Sequence, residues 1–174
     1  MSKSQYRLRS AERSDVENIL FMIKQLAEYE KEPHSVEITE RDLERDGFET
    51  QPPLFHVVLA EVLEQNGWKC VGFALWFYVY STWQGKALHL EDLFVLPQYR
   101  NRGIGKALLR RCAQVALSEK CKRYQWNVLT WNTPSIDFYE AVGAKAMKEW
   151  MLMRMDKYSM ERFIESSTDS VSKQ

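Results

Sequence analysis

Residues 88–106 constrain the fold most strongly, because they join a strand-like segment to a basic turn and the start of a helix. The apolar run 88–96 contains two adjacent carboxylates, Glu91 and Asp92. The first N–H groups of a helix have no partners within it and carry partial positive charge, so they attract anions. Glycines let an anion approach the backbone, and basic side chains add full charges. The segment therefore predicts a phosphate or pyrophosphate site formed by Arg100, Asn101, Arg102, Gly103, Ile104, Gly105 and Lys106.

The spacing of this turn differs from that of two common phosphate-binding loops. A P-loop needs Ser or Thr after its lysine, but Lys106 is followed by Ala107. The dinucleotide-binding fingerprint needs a third glycine where Leu108 stands. Residues 100–105 instead match the pattern Gln/Arg-x-x-Gly-x-Gly/Ala, and the turn therefore resembles the acetyl-CoA-binding turn of the GNAT acetyltransferases.

Composition predicts one compact domain with a small-molecule partner. The chain has 174 residues, of which 45% are hydrophobic, and its 24 basic residues balance 24 acidic ones. This gives no basic excess of the kind that nucleic-acid binding requires. The odd number of cysteines predicts reduced thiols in the cytoplasm, and no apolar run is long enough to span a membrane. We expect a domain over residues 1–165 and a disordered, Ser-rich tail at 166–174.

Hydrophobic periodicity and turn signals predict a mixed α/β chain. Ser14 and Glu17 have the spacing of a capping box at the start of a helix. Thr133 is the predicted N-cap of a later short helix, with Pro134 at its first position and Gly143 past its end. The predicted strands are 6–9, 54–62, 71–80, 87–96, 124–130 and 150–155, and the predicted helices begin near residues 16, 39, 104 and 134.

This order of elements resembles the GNAT fold over nearly the whole chain. Eight separated segments also resemble the diamine acetyltransferase branch, which contains spermidine/spermine and thialysine acetyltransferases: residues 26–30, 46–48, 55–56, 60–62, 80–83, 90–92, 131–132 and 138–139. The resemblance implies a central, mostly antiparallel twisted sheet flanked by helices, acetyl-CoA as acetyl donor without a metal, a small amine substrate and a homodimer. It implies no role for nucleic acid or membrane.

Two residues are candidates for proton transfer in such a reaction. An alkyl amine has a pKa of about 10, so it must lose a proton before it attacks a thioester. Glu91 can bind the ammonium group and accept that proton directly or through water, and the resemblance supports a substrate-binding role. The resemblance assigns the general acid that protonates the departing thiolate to Tyr139. An outward-facing strand carboxylate and a packing tyrosine are the structural alternatives.

The remaining site residues follow from the turn and from the resemblance. Backbone N–H groups near 93–95 are candidates for stabilising negative charge on the acetyl oxygen. The predicted acetyl-CoA contacts are Leu93, Phe94, Val95, Arg100, Asn101, Arg102, Gly103, Ile104, Gly105, Lys106, Asn132, Ser135 and Tyr139. The predicted substrate contacts are Tyr29, Glu30, Glu91, Asp92, Gln125, Trp126, Asn127 and Glu149.

Several alternatives remain open at the level of sequence. Asn132 is equally suited to cap a helix. His89 lies two residues before Glu91, on the same face of a regular strand, and can take part in proton transfer. After Gly143 the chain departs from the spermidine/spermine enzymes and lacks their paired glutamates. A thialysine-like or lysine-like acceptor therefore competes with a polyamine, and a noncatalytic acetyl-CoA-binding regulator is a further alternative.

Overall fold

The computed structural model describes residues 5–168, which form two compact units, 5–127 and 128–168. The first unit is built on a five-stranded sheet in the order β1-β2-β3-β4-β5. Neighbouring strands are antiparallel except for β4 and β5, which are parallel. The strands are Tyr6–Ser10 (β1), His56–Glu64 (β2), Gly67–Ser81 (β3), Gly85–Val95 (β4) and Arg123–Trp126 (β5).

Three helices accompany this sheet. They are Val16–Tyr29 (α1), Glu40–Glu44 (α2) and Ile104–Ser118 (α3). The helix α1 packs on β3 and β4, and α3 packs on β2, β3 and β4. The core between these elements consists of fully buried apolar side chains, and burying each contributes about 1.5–3 kcal/mol. Its largest members include Ile19, Met22, Leu59, Phe73, Leu88, Leu90 and Leu108.

A partly buried ion network joins β1, β2 and the 3-10 turn Arg13–Asp15 that precedes α1. Arg9 donates hydrogen bonds to both oxygens of Asp15 at 2.6 and 2.7 Å and to Glu61 at 2.9 Å. Burial alone would raise the pKa of Glu61, but hydrogen bonds from Arg9 and Arg7 lower it overall. The hydrogen bonds from Arg9 also lower the pKa of Asp15. The network therefore stabilises the charged forms of two buried carboxylates.

The strands predicted over 54–62, 71–80 and 87–96 are confirmed as β2, β3 and β4, and the helix predicted to begin near residue 104 is confirmed as α3. Gly67 and Gly85 form the two hairpin turns with positive φ values of 111° and 89°, a conformation that favours glycine. The predicted capping box at Ser14 is wrong, because the backbone N–H of Glu12 donates to Asp15 at 2.8 Å and the turn begins earlier. The helix predicted near residue 39 is α2, and a π-helical turn, Arg45–Glu49, follows it directly.

The strand predicted over 124–130 is shorter in the structure, since β5 ends at Trp126. Its pairing with β4 covers only Ala87–Leu90, and β4 becomes irregular at the next residue. Parallel pairing requires evenly spaced hydrogen bonds, which an irregular neighbour does not offer. The strand β5 therefore ends where the irregularity of β4 stops the pairing between them.

The second unit contains two helices, Thr133–Ala141 (α4) and Lys157–Thr168 (α5). Asn132, and not the predicted Thr133, is the N-cap of α4, and Gly143 follows the helix with a φ of 96° as predicted. The strand predicted over 150–155 is wrong. Residues 128–168 contain no strand with which this segment could pair, and an isolated strand is not stable. The predicted tail begins at Ser166, within α5, and residues 169–174 lie outside the described residues. The single-domain organisation stays a prediction.

Candidate active site

A β-bulge in β4 sets the position of Glu91. Leu75 of β3 is paired with Asp92, whereas the next residue, Trp76, is paired with Leu90. Glu91 is therefore the extra residue of the bulge, and 53% of its side chain is exposed. Bulges bend a strand locally and re-aim side chains, and they are frequent next to active sites. The bulge separates Glu91 from the regular alternation of the strand and presents its carboxylate to solvent.

The last residues of β4 lack a strand partner on the side of β5. Pairing between these strands stops at Leu90 and Trp126, so within residues 5–168 the segment Leu93–Val95 pairs only with β3. Backbone groups on the other side of Leu93–Val95 are consequently directed away from any strand of the sheet. This arrangement suits the predicted role of the segment, because an extended ligand can form hydrogen bonds with such an edge.

Gly72 of β3 permits a close approach to this end of β4. A Cβ atom added at Gly72 would lie 2.7 Å from the carbonyl oxygen of Phe94 and 3.2 Å from a methyl group of Val95. Sequence reasoning missed this residue. The available signal was a glycine inside an otherwise apolar strand, which often marks a place where two backbones approach closely.

The turn between β4 and α3 has an open helix N-terminus. Asn101 and Gly103 have positive φ values of 61° and 82°, and Gly103 is the N-cap of the 15-residue helix α3. An N-cap is usually Ser, Thr, Asp or Asn, whose side chain binds the first N–H groups of the helix. Glycine has no side chain with which to do so. The turn therefore leaves the N–H groups at the start of α3 for another hydrogen-bond acceptor, and a pyrophosphate fits this requirement.

The three basic residues of the turn differ in their surroundings. The Arg100 side chain donates to the carbonyl oxygen of Val95 at 2.9 Å, which ties the turn to the end of β4. Arg102 donates to the carbonyl oxygen of Gln98 at 2.9 Å. Lys106 is exposed on the first turn of α3, and the neighbouring Ile104 is buried in the core. Arg100 therefore shapes the turn, while Lys106 offers a charge at its surface.

Tyr29 and Glu30 link the end of α1 to both parts of the site. The Arg100 guanidinium lies over the Tyr29 ring, 4.7 Å from its centre, in a cation–π arrangement. Glu30, the next residue, is half-buried, and burial raises its pKa. Because Glu30 also acts electrostatically on Asp92, these two residues connect the anion-binding turn with the carboxylates of β4.

Asp92 has the most strongly perturbed carboxyl group of the site. Burial, together with repulsion from Glu91 and Glu30, raises its pKa from 3.8 to about 7. Carboxyl groups with such shifts are frequent at functional sites, where neighbouring charges and burial are arranged around a ligand. The three carboxyl groups form an acidic cluster, which we define as Glu30, Glu91 and Asp92, and a cationic ligand would relieve their repulsion.

The predicted contacts Gln125, Trp126 and Asn127 lie at the end of β5. Gln125 is paired with His89 of β4, and its amide nitrogen is 3.4 Å from His89 Nδ1. The other ring nitrogen, Nε2, is 3.4 Å from an oxygen of Glu91. Trp126 is half-buried with its ring centre 4.9 Å from that of Tyr124, and Asn127 is exposed. The structure thus brings Gln125, His89 and Glu91 into one row of contacts.

The second unit contains the other predicted site residues. The side chain of Asn132 accepts a hydrogen bond from the backbone N–H of Ser135 at 3.4 Å, so Asn132 does cap α4. Tyr139 lies near the end of α4, half-buried, with its ring centre 5.3 Å from that of Phe138. Glu149 is exposed in the segment that follows α4.

Residues 5–168 contain no group of three or more His, Cys, Asp or Glu side chains that could hold a metal ion. None of the helices in this range is long and apolar enough to cross a membrane.

The sheet topology and the turn before α3 define an acetyltransferase fold. The solved aminoglycoside N-acetyltransferase AAC(6')-Iy in complex with CoA matches it with a TM-score of 0.69 at 21% sequence identity, covering 88% of this chain and 96% of that one. The model of the Acetyltransferase (GNAT) family matches residues 20–144, and the chain belongs to this family. It is an acetyltransferase.

Two curated relatives resemble most of the chain. Thialysine N-epsilon-acetyltransferase of Mus musculus is 39% identical over 161 residues, which are 88% of this chain and 94% of the relative. Spermidine/spermine N(1)-acetyltransferase-like protein 1 of Homo sapiens is 38% identical over 162 residues, which are 90% of this chain and 23% of that protein. Both names describe transfer of an acetyl group to nitrogen.

Proposed function

We propose that this protein transfers an acetyl group from acetyl-CoA directly to a primary amine of a small polyamine or diamine, with both substrates bound at once. The observation that carries the proposal is that acidic side chains on β4 lie close in sequence to the anion-binding turn that follows this strand. The strand bears Glu91 and Asp92 of the acidic cluster, and its end leads into the anion-binding turn at 100–106. The acidic cluster suits an ammonium group and the turn suits a pyrophosphate.

On the donor side, the open N-terminus of α3 binds the pyrophosphate, assisted by Lys106 and Arg102. The edge of Leu93–Val95 that lacks a strand partner within residues 5–168 binds the pantetheine arm and the acetyl oxygen through backbone groups other than the Val95 carbonyl, which Arg100 contacts. Arg100 holds the turn against Val95, so the two parts keep a fixed spacing. When bound, acetyl-CoA supplies an acetyl group activated as a thioester.

On the acceptor side, the acidic cluster binds and orients the ammonium form of the substrate. Glu91 is the residue best placed to accept its proton, since the bulge exposes its carboxylate while Asp92 is partly buried. The ring of Tyr29 forms an aromatic edge beside Glu30. Gln125, Trp126, Asn127 and Glu149 are proposed as further substrate contacts.

Tyr139 is proposed as the general acid that protonates the departing thiolate, with Asn132 and Ser135 as contacts of the CoA arm. We expect Tyr139→Phe to lower kcat by about a hundredfold with little change in acetyl-CoA binding, because it removes a proton donor and keeps the ring. Tyr158→Phe is the matched control, since Tyr158 is exposed on α5. Wild-type turnover of Tyr139→Phe would contradict the assignment.

A thialysine-like or lysine-like amino acid is the second candidate acceptor. The identity to a thialysine N-epsilon-acetyltransferase over most of the chain favours it. Such an acceptor also presents a primary amine on an alkyl chain, so the acidic cluster serves it equally. The difference between the candidates is the carboxylate of the amino acid, which needs a cationic or N–H partner.

A substrate panel tests the proposal and separates the two acceptors. Acetyl transfer is followed by thiol release with spermidine, spermine, putrescine, thialysine, lysine and a basic peptide at fixed pH. Selective turnover of a diamine or polyamine supports the first candidate, and preference for thialysine or lysine supports the second. Tight acetyl-CoA binding without turnover of any amine would overturn catalysis and favour a regulator that binds acetyl-CoA.

We further propose a homodimer in the cytoplasm. The segment 150–155 exposes large apolar side chains, including Trp150 at 68% and Met151 at 83%, and burying them against a second copy would remove them from water. All three cysteines are free, which is typical of a reducing compartment. Light scattering after gel filtration tests the dimer, and fractionation of cells tests the compartment.

A further inference from the structure

His89 is held in place by both neighbours of β4. It is paired with Phe77 of β3 and with Gln125 of β5. Its ring stacks on that of Phe77, with 5.2 Å between centres and 30° between planes, and Gln125 Nε2 is 3.4 Å from Nδ1. Only 13% of the side chain is exposed, compared with 53% for Glu91. A rigid, shielded imidazole therefore lies beside a largely exposed carboxylate.

The contacts of the ring determine where a neutral imidazole carries its proton. In the structure the amide nitrogen of Gln125, which can only donate, faces Nδ1, so Nδ1 accepts in this arrangement. A neutral histidine that accepts at Nδ1 carries its hydrogen on Nε2. This second nitrogen is 3.4 Å from Glu91 Oε2, and a carboxylate accepts hydrogen bonds only. The three side chains thus form a donor–acceptor row that runs from Gln125 through His89 to Glu91.

We propose that His89 is a positioning residue for Glu91, which it orients by donating a hydrogen bond from Nε2 to the carboxylate. The proposal rests on the proposed function, in which Glu91 binds the amine and accepts its proton. His89 keeps its own hydrogen throughout and needs no contact with either substrate. Glu91 is the only charged side chain in this row, and it acts electrostatically on Asp92 of the acidic cluster.

Orientation matters here because a glutamate in a solvent-exposed bulge has several rotamers of similar energy. Repulsion from Asp92 and Glu30 would favour rotamers that move its carboxylate away from them. A hydrogen bond from a rigid imidazole opposes this tendency and holds the carboxylate over the strand. Gln125 consequently contributes through His89 in addition to its proposed contact with substrate.

A pair of variants separates the hydrogen bond from the packing. His89→Phe keeps a ring that can stack on Phe77 and removes both nitrogens, whereas His89→Gln keeps a donor within reach of Glu91 and removes the ring. We expect His89→Phe to lower kcat by about tenfold, the size of one hydrogen bond to a charged group, with the KM for acetyl-CoA unchanged. His89→Gln should retain most of the kcat. Equal loss in the two variants would overturn the proposal.

A double-mutant cycle with Glu91→Ala provides the decisive comparison. If His89 acts through Glu91, His89→Phe should have almost no further effect on kcat in the Glu91→Ala background. The same tenfold loss in both backgrounds would show a merely structural role and overturn the inference. Wild-type activity of Glu91→Ala would overturn both the role of Glu91 and that of His89. An impaired Glu91→Ala beside a fully active His89→Phe would overturn the inference alone.

The tautomer can be measured in the wild-type protein, so the test does not depend on a variant that folds. Among the histidines His34, His56 and His89, the nitrogen-15 signals of His89 are assigned by their loss in His89→Gln. We expect the neutral ring to carry its hydrogen on Nε2. A neutral ring with its hydrogen on Nδ1 would overturn the proposed row of contacts.

Discussion

Replacing Asp92 by asparagine should stabilise the protein, and the gain should depend on pH. Burial and the charges of Glu91 and Glu30 raise the pKa of Asp92 to about 7, compared with 3.8 for an unperturbed group. Between these values the folded protein holds a proton that the unfolded chain has released. The stability of the wild type must therefore fall as the pH rises from about 4 to 7.

The size of the effect follows from the same two values. The folded and unfolded pKa values of Asp92 differ by about three, and each pH unit between them lowers the free energy of unfolding by about 1.4 kcal/mol. The total loss is at most about 4 kcal/mol above pH 7. Asn has nearly the same shape as Asp and carries no charge, so Asp92→Asn removes this loss. Its advantage over the wild type should grow by about 1.4 kcal/mol per pH unit between pH 4 and 7 and then become constant.

Urea unfolding at pH 5, 6, 7 and 8 measures this difference directly. Glu17→Gln, on the exposed face of α1, is the control for replacing a carboxylate by an amide at a surface position. Parallel stability curves for Asp92→Asn and the wild type would refute the reasoning, as would an advantage that shrinks as the pH rises. Asp92 therefore lowers the stability of the folded protein while it contributes to the proposed binding site for the amine.

Two further predictions concern the framework of the site. Arg9→Met should lower the free energy of unfolding by about 2 kcal/mol at pH 7, below the range for a fully buried pair because 31% of the arginine side chain is exposed. In thermal melts this loss should diminish as the pH falls below about 4, because the unfolded chain then takes up protons that Asp15 and Glu61, whose pKa values are lowered in the folded protein, still exclude. Gly72→Ala should cost about 2 kcal/mol and weaken acetyl-CoA binding, because its Cβ would displace the carbonyl of Phe94. Gly105→Ala is the control for stability only, since its Cβ would meet the nearest atom at 3.9 Å while the residue itself belongs to the anion-binding turn. Unchanged acetyl-CoA affinity in Gly72→Ala would contradict this reasoning.

Local sequence signals predicted most of the elements correctly. Alternating apolar residues and glycine turns located β2, β3 and β4, and periodic apolar residues located α1 and α3. These signals are reliable because they depend on neighbours within a few residues. The final strand failed for the opposite reason. The apolar segment 150–155 is compatible with a strand, but strand formation requires a partner that local sequence does not reveal.

The sequence by itself determined the chemistry that the chain can perform. The spacing of residues 100–105 predicted an anion-binding turn, and Glu91 and Asp92 marked the strand that leads to it. These are properties of short segments, in which residue type and spacing determine the available hydrogen bonds and charges.

Only the tertiary structure decided how these groups act on one another. The bulge that exposes Glu91, the end of β5 pairing at Leu90 and the contact of His89 with Gln125 all depend on the register of three strands. The raised pKa of Asp92 depends on burial, on the adjacent Glu91 and on Glu30, which lies 62 residues away in the sequence. Burial, strand register and charge–charge distance are long-range properties, and they exist only when the chain has folded.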